Sequence, residues 1–206
     1  MKKEVVPMKF ISLKPIVLAS SSPRRKELLQ LAGIDFTVRP SDVDEDMPFT
    51  PEEPYEYAVR LSERKALAVF ESEEEIVIAA DTIVVKDGRV FPKPKDDAQA
   101  IDFLMELSGE LHEVITGVTI LANGKTIQFA GLSQVKFRQL DEELVRAYVK
   151  SGDASDKAGA YGIQTQGMLF VENMVGDYQN IVGLPISDVV NRMRQEGLLI
   201  LEGGGA

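Results

Sequence analysis

An apolar, β-branched run, IVIAADTIVV from Ile76 to Val85, constrains the fold of this chain more than any other stretch. Such a run predicts a strand buried on both faces at the centre of a sheet. Asp81 interrupts the run, and an unpaired carboxylate is costly to remove from water. One interpretation is that the strand ends at Ala80 and Asp81 caps a turn. We favour the other, in which Asp81 is a carboxylate at a strand end that binds a divalent cation or activates water, and Thr82 orients a substrate group.

The second constraint is the stretch from Ile16 to Gly33, IVLASSSPRRKELLQLAG. It predicts a short buried strand, a serine connection and an apolar-periodic helix that closes at the glycine. Ser22 is a suitable N-cap, and Pro23 suits the first helical turn because its missing N–H would be unpaired there. Arg24 and Arg25 add charge to a helix start whose backbone dipole is already positive. One interpretation is that both arginines are only solvated charges on the first turn. Because positive charge is unfavourable at a helix N-terminus, we favour an anionic ligand that offsets it, and we expect a phosphate chain.

The remaining patterns alternate between helices and strands. Asp87-Gly88 and Asn123-Gly124 are typical of two-residue hairpin turns, so the sheet has antiparallel as well as parallel neighbours. We therefore predict an α/β fold with a mixed sheet. The predicted helices begin at Pro51 with Thr50 as its cap, at Asp96 or Asp97 as cap, at Asp141 and at Ile186; the predicted strands cover 36–39, 114–121, 126–137 and 168–171; residues 156–167 form a loop or a bent strand near a ligand.

Composition excludes several classes of protein. The 206 residues carry a formal net charge of -10, from 33 acidic and 23 basic residues, and such a surface repels nucleic acid. There are no cysteines, so disulfides, thiolate nucleophiles and Cys-based zinc sites are absent. No run approaches the roughly 18 apolar residues of a membrane span, and the start has no apolar segment of signal length. We expect a cytoplasmic protein with neither nucleic acid nor membrane as a partner.

Three further polar residues are candidates, and the first two have an ordinary alternative. Glu45 lies in an acidic loop, and such segments are usually only solvated. Lys65 lies on a predicted helix, as many exposed lysines do. Lys93 stands between Pro92 and Pro94, and that stiff segment suits a positioned phosphate contact.

Several common sites are missing from the sequence. There is no G-x-x-x-x-G-K-[ST] phosphate loop, no G-x-G-x-x-G after a strand and no G-x-S-x-G elbow. The one histidine, His112, has no second histidine four residues on, so the chain has no zincin motif. We interpret His112 as a structural residue.

Taken in order, five motifs resemble those of the Maf family of nucleoside triphosphate pyrophosphatases, which are also described as septum-formation inhibitors. The motifs are SSSPRRKELL (20–29), AADTIVV (79–85), PKPKD (92–96), DKAGAYGIQ (156–164) and GDYQNIVGLP (176–185). The form KAGAYGIQ is similar to the branch that acts on dTTP and UTP. The resemblance implies residues 15–206 as one domain after an N-terminal extension of residues 1–14. It also implies the two-lobed architecture of the inosine triphosphate pyrophosphatases, with the active-site cleft between the lobes.

The resemblance also assigns roles to individual residues. It implies a divalent cation, Mg²⁺ or Mn²⁺, held by Asp81 with Glu45, and a homodimer. Asp81 matches the catalytic proton acceptor; Glu45, Lys65 and Lys93 match polar residues of the catalytic cleft; Arg24, Thr82 and Gln164 match positions linked to substrate choice; Ser20, Ser22 and Arg25 belong to the motif that we expect to hold the triphosphate.

The activity implied is hydrolysis of dTTP and UTP between the α- and β-phosphates, which gives the monophosphate and pyrophosphate. The alternative is a nucleotide-binding regulator of cell division that acts through a protein partner. The sequence leaves open whether standard or modified pyrimidine triphosphates are the physiological substrates, and how many metal ions take part.

Overall fold

The computed structural model describes residues 8–43 and 53–203, and alternating strands and helices account for most of them. The strands are β1 (Phe10–Ser12), β2 (Ile16–Leu18), β3 (Thr37–Val38), β4 (Ile76–Lys86), β5 (Arg89–Phe91), β6 (Leu111–Ala122), β7 (Lys125–Phe137), β8 (Val171–Gly176) and β9 (Leu199–Leu201). The helices are α1 (Pro23–Leu31), α2 (Pro54–Val69), α3 (Asp97–Leu107), α4 (Glu142–Lys150), α5 (Tyr178–Val182) and α6 (Ile186–Gln195), with short 3-10 helices at Ala158–Ala160 and Gln166–Phe170.

In the described ranges, seven strands form one mixed sheet in the order β3-β2-β4-β6-β7-β8, with β5 paired to β4. Strands β3, β2 and β4 are parallel to one another, whereas the other pairs are antiparallel. The predicted mixed sheet is therefore confirmed, and β4 is a central strand as its apolar sequence predicts.

Both predicted hairpin turns are present. Asp87 and Gly88 have φ angles of 50° and 72°, and Asn123 and Gly124 have φ angles of 53° and 70°. Two successive positive φ angles are those of the tight turn that matches the twist of paired strands. The first turn joins β4 to β5, and the second joins β6 to β7, the two longest strands.

The long strands carry two separate hydrophobic cores on one face. Side chains of a strand alternate between its two faces, so Ile76, Ile78, Ala80 and Val84 of β4 all lie on one face. The first three pack in the first core, and Val84, farther along the strand, packs in the second. The first core includes α1 and α6, and the second includes α3 and α4. We take these two cores as the two predicted lobes. Helix α2 covers the opposite face of the same strands.

Two local predictions differ from the structure. Helix α2 begins at Pro54, with Glu53 as its N-cap, while the predicted Thr50 and Pro51 lie outside the described residues. A strand over 168–171 is wrong, because residues up to Phe170 form a 3-10 helix that sends this phenylalanine into the second core. Strand β8 begins only at Val171.

Two elements at the ends of the described chain pair with each other. Strands β1 and β9 form a separate antiparallel pair, in which Ile11 lies opposite Ile200. Phe10 from this pair enters the first core. In the part of the chain that the structure describes, no helix combines the length and apolar character that crossing a bilayer requires.

Candidate active site

A gap along one edge of β4 creates the site. Strand β2 pairs with β4 only as far as Ile78, and β5 joins the same edge only from Val84. The last contact with the β2 chain is the hydrogen bond from the Ala19 N–H to the Ile78 carbonyl, at 2.8 Å. Between these two points the edge of β4 faces a cleft of about 360 Å³.

Asp81 lies at the middle of this gap. It is in mid-strand, opposite Gly117 of β6, so both the strand end that we expected at this residue and the alternative ending at Ala80 are wrong. The strand continues because β6 pairs with it without interruption from Val77 to Val85. Only the other edge is open, and this exposes the Asp81 position to the cleft.

A lysine from α2 neutralises this buried carboxylate. The Lys65 ammonium donates to Oδ1 of Asp81, and the two side chains are only 9% and 10% exposed. Asp81 lies on the face of β4 that packs on α2, so a helix residue can reach it. Lys65 is thus a buried ion-pair partner, which its position on a helix did not by itself distinguish from a surface lysine.

Arg25 is held on the opposite wall by three uncharged acceptors. Its Nε donates to the Gly183 carbonyl at 2.8 Å, its Nη1 to Ser20 Oγ at 3.3 Å and its Nη2 to Thr82 Oγ1 at 3.1 Å. These three contacts fix the guanidinium in place. Ser22 supports the same turn, because its hydroxyl oxygen accepts from the Arg25 backbone N–H at 3.5 Å and so caps α1, as predicted.

Arg24 reaches across the cleft to a network of charges. Its Nη1 donates to Asp156 Oδ2 at 3.0 Å, and Lys157 donates to Asp156 at 2.7 Å and to Asp153 at 3.0 Å. Although burial opposes the shift, the hydrogen bonds from Lys157 and Arg24 hold the pKa of Asp156 below its ordinary value. Thr165 also donates to Asp153, so the network braces both ends of the segment that carries Gln164.

The cleft brings together nearly all of the predicted site residues. Lys93 and Gln164 line the wall formed by the second core, and the serine connection lines the wall formed by the first. Glu45 lies outside the described residues, so its predicted role stays a prediction. The predicted residues that line the cleft are Ser20, Ser22, Arg24, Arg25, Lys65, Asp81, Thr82, Lys93 and Gln164.

The extent of similarity to a known family decides the classification. The family described as Maf-like protein matches residues 15–196. The chain belongs to the Maf family. The match ends before β9 and begins after β1, so the pair of terminal strands lies outside it.

Curated relatives of this Maf-like chain carry an enzymatic name. A dTTP/UTP pyrophosphatase of Bacillus cereus (strain ATCC 10987 / NRS 248) is 45% identical over 185 residues, which cover 89% of this chain and 91% of the relative. A dTTP/UTP pyrophosphatase of Bacillus anthracis is 46% identical over 184 residues, which cover 89% of this chain and 96% of the relative. The similarity therefore spans almost the whole of both proteins.

A solved structure shares the fold. The HAM1 protein from Coxiella burnetii matches with a TM-score of 0.52 and 14% identity, covering 89% of this chain and 100% of that chain. At this identity the likeness concerns the fold alone. The expected fold class, α/β with a mixed sheet and an architecture like that of the inosine triphosphate pyrophosphatases, is confirmed.

Sequence reasoning missed several residues that shape the site of this Maf-like chain. Asp156 and Lys157 are part of the DKAGAYGIQ motif, but only the folded chain shows that they pair with Arg24 and Asp153. Thr116 contacts Thr82 from β6, and the sequence carries no signal for it beyond a polar residue in an apolar strand.

Proposed function

We propose that this Maf-family chain hydrolyses dTTP and UTP to the monophosphate and pyrophosphate in the cleft along β4. The observation that carries the proposal is the position of the Asp81–Lys65 pair in the same cleft as Arg24, Arg25 and Lys93. A chemically reactive carboxylate and a set of cations are what cleavage of a phosphoanhydride requires. The names of the relatives support the same activity.

The cationic residues explain how an acidic protein binds a polyanion. The protein carries a net charge of -10, so a triphosphate is attracted only where basic groups converge. Arg25 is pre-organised by its three acceptors and can donate to phosphate oxygens with little loss of side-chain entropy. Helix α1 starts at the same place and adds the positive dipole of its first turn.

Asp81 is the group that we propose accepts the proton of the attacking water. Lys65 binds Oδ1 and so fixes the rotation of the carboxylate. The second oxygen, Oδ2, is then the atom that orients the water and receives its proton. Thr82, the next residue, lies on the other face of the strand and contacts Arg25. Neighbouring residues of β4 therefore serve the proposed proton acceptance, through Asp81, and the proposed phosphate binding, through Arg25.

A divalent cation fits this site if it is shared with the substrate. The described residues hold no cluster of three or more histidine, aspartate or glutamate side chains placed to bind a metal. Mg²⁺ does not need one, because it binds through one or two carboxylates together with substrate phosphates and water. Asp81 would hold it, with Glu45 as the predicted second ligand. When bound, the cation neutralises phosphate charge and lowers the pKa of a bound water.

Gln164 is the residue that we propose reads the base. Its side-chain amide offers one acceptor and two donors, and the uracil and thymine rings present the complementary pair on one edge. Its segment is braced by the Asp153, Asp156 and Lys157 network, so the backbone that carries Gln164 is held in the wall of the cleft. The shared edge of the two rings explains why one site accepts both dTTP and UTP.

A panel of nucleoside triphosphates tests the proposal. The protein is incubated with each triphosphate and Mg²⁺, and the products are resolved by chromatography. We expect dTTP and UTP to give equal amounts of monophosphate and pyrophosphate, with purine triphosphates converted more slowly. Release of orthophosphate alone, or no turnover of either pyrimidine triphosphate, would contradict it. Modified pyrimidine triphosphates in the same panel, compared by kcat/KM, identify the preferred substrate.

The regulator of cell division is not favoured, because the relatives are named for a catalytic activity and the cleft carries reactive groups. A homodimer and a cytoplasmic location stay predictions. Light scattering of the purified protein tests the first, and localisation of a tagged chain in cells tests the second.

A further inference from the structure

A buried hydroxyl behind the cleft wall has no place in the proposed reaction. Thr116 is fully buried on β6, directly opposite Thr82 of β4. Its Oγ1 lies 2.9 Å from Thr82 Oγ1 and 2.8 Å from the backbone carbonyl of Asn180, to which it donates. It thus connects the cleft wall with the segment around α5.

The chemistry of these groups fixes the direction of every hydrogen bond. A carbonyl oxygen can only accept a hydrogen bond, so the Thr116 hydroxyl donates its one proton to the Asn180 carbonyl. Thr82 must then donate to Thr116, and its own oxygen accepts from Arg25 Nη2 at 3.1 Å. The result is a one-way chain from Arg25 through Thr82 and Thr116 to the Asn180 carbonyl.

We infer that Thr116 is a positioning residue for Arg25, acting through Thr82. With its proton committed to Thr116, the Thr82 hydroxyl presents only lone pairs towards the cleft, which is the polarity that a guanidinium needs. The same segment supplies the Gly183 carbonyl that accepts from Arg25 Nε at 2.8 Å. The contacts of Arg25 with Thr82 and with the Gly183 carbonyl therefore both depend on the hydrogen bond that joins β6 to α5. The inference rests on the proposed function only for the consequence on triphosphate binding.

The direct test measures the order of the Arg25 side chain without any substrate. Hydrogen exchange of the Arg25 Nε–H is followed by NMR, with the signal assigned by its loss in Arg25→Lys. In Thr116→Val, which keeps the shape and removes the hydroxyl, we expect exchange to be about fivefold faster, as loss of one hydrogen bond allows. Thr116→Ser keeps the hydroxyl and should restore the original rate.

A matched control separates positioning from general loosening. Thr119 lies three residues along β6, is also fully buried, and pairs with Ser62 on the α2 face. Thr119→Val should lower stability without changing the exchange of Arg25. If Thr116→Val leaves exchange unchanged, or if Thr119→Val accelerates it equally, the inference is wrong. Should Thr116→Val fail to fold, Thr82→Val interrupts the same chain and should accelerate exchange likewise.

Kinetics then test the link to the proposed function. Because Arg25 is proposed to bind phosphate both before and during the reaction, Thr116→Val should raise KM for dTTP about fivefold and change kcat much less. In an Arg25→Ala background the same substitution should have no further effect. Faster exchange with an unchanged KM would support the positioning role of Thr116 and contradict the role proposed for Arg25.

Discussion

At the scale of single residues, the Asp81–Lys65 pair is the most demanding feature of the molecule. Both charges are about nine-tenths removed from solvent, and the attraction between them offsets a large desolvation cost. Replacing a buried ion pair with well-packed apolar residues of similar volume is often neutral or stabilising. A position beside a cleft gives the pair a chemical reason to be retained, since only an ionised carboxylate can accept a proton from water.

Removing one partner of this pair should destabilise the fold strongly. Lys65→Met leaves the Asp81 carboxylate buried without its ammonium partner, and we expect a loss of about 3–5 kcal/mol in the free energy of unfolding. The double variant Lys65→Met/Asp81→Asn should recover a large part of that loss. Urea unfolding at neutral pH measures both, with Lys150→Met on the exposed end of α4 as the control. Equal losses in the single and double variants would contradict the pairing.

The sequence identified those site residues whose role depends on their immediate neighbours in the chain. Asp81 could be identified from the sequence because burying an unpaired carboxylate in an apolar strand is costly. Ser22 could be identified because a helix cap is determined by adjacent residues. The hydrogen-bond partners of Arg25 could not be identified from the sequence, because Thr82 and Gly183 lie 57 and 158 positions away from it. The fold alone brings them together.

At the scale of elements, the approach of α2 to β6 determines where Lys65 lies. Gly117 makes that approach possible: a Cβ at this position would lie 2.2 Å from the carbonyl carbon of Ala58, in the backbone of α2. Gly117 is also the residue that pairs with Asp81 across the sheet. Helix α2 therefore packs directly on the residue that lies opposite Asp81 in the sheet.

A methyl group at this contact should displace the helix. We expect Gly117→Ala to lower the free energy of unfolding by about 1–3 kcal/mol and to reduce kcat/KM for dTTP, because Lys65 moves with α2. Gly124→Ala is the control, because a Cβ added at Gly124 would have no neighbouring atom within 4 Å. The only strain in this variant comes from the turn conformation, in which residue 124 has a φ of +70°. The control should cost about 1 kcal/mol and leave kcat/KM unchanged. Full activity in Gly117→Ala would show that α2 does not set the site.

The elements predicted well are those with local signals. Capped helices and two-residue hairpins are determined by neighbouring residues, and α4, α6 and the β6–β7 hairpin follow the sequence closely. Strands β1, β8 and β9 escaped prediction because pairing with distant strands, rather than their own periodicity, makes them strands. Helix α5 is only five residues long and has too few turns to show a period.

At the scale of the whole molecule, the two cores leave room for a cleft between them. The second core is rich in aromatic rings and encloses His112, whose Nε2 lies 2.9 Å from the Tyr161 hydroxyl. Tyr161 also lines the cleft, so this core reaches the site through one ring. Burial lowers the pKa of His112 from 6.5 to about 4. The structural interpretation of this histidine agrees with its buried position.

The buried histidine predicts an acid-sensitive stability. Its folded-state pKa lies below the unfolded value, so the unfolded chain binds the proton more readily between pH 6.5 and about 4. The stability due to the neutral ring is present above pH 6.5 and is lost as the pH falls through this window. When the pH is lowered from 7 to 5, the free energy of unfolding of the natural protein should fall by about 2 kcal/mol more than that of His112→Gln. Parallel pH dependences in urea titrations would contradict the burial of a neutral ring.

The overall architecture was largely predictable, whereas the reason for the cleft was not. Apolar and hairpin patterns imply a mixed α/β sheet, and the ordered motifs imply one site. The gap on the edge of β4 arises because β2 ends at Leu18, opposite Ile78, and β5 ends at Phe91, opposite Val84. The sequences of β2 and β5 carry no signal for where each strand stops pairing with β4.

The central claim is that Asp81 performs the chemistry in a cleft whose cations bind the triphosphate. The most direct measurement compares Asp81→Asn with the natural protein in turnover of dTTP and in binding of its non-hydrolysable α,β-imido analogue, with Asp102→Asn on α3 as the control. The account predicts that turnover by Asp81→Asn in the presence of Mg²⁺ falls by about 10²–10⁴, while the analogue, measured with divalent cations removed by EDTA, binds at least as tightly because a negative charge has been removed. Near-normal turnover in a folded Asp81→Asn protein would contradict it.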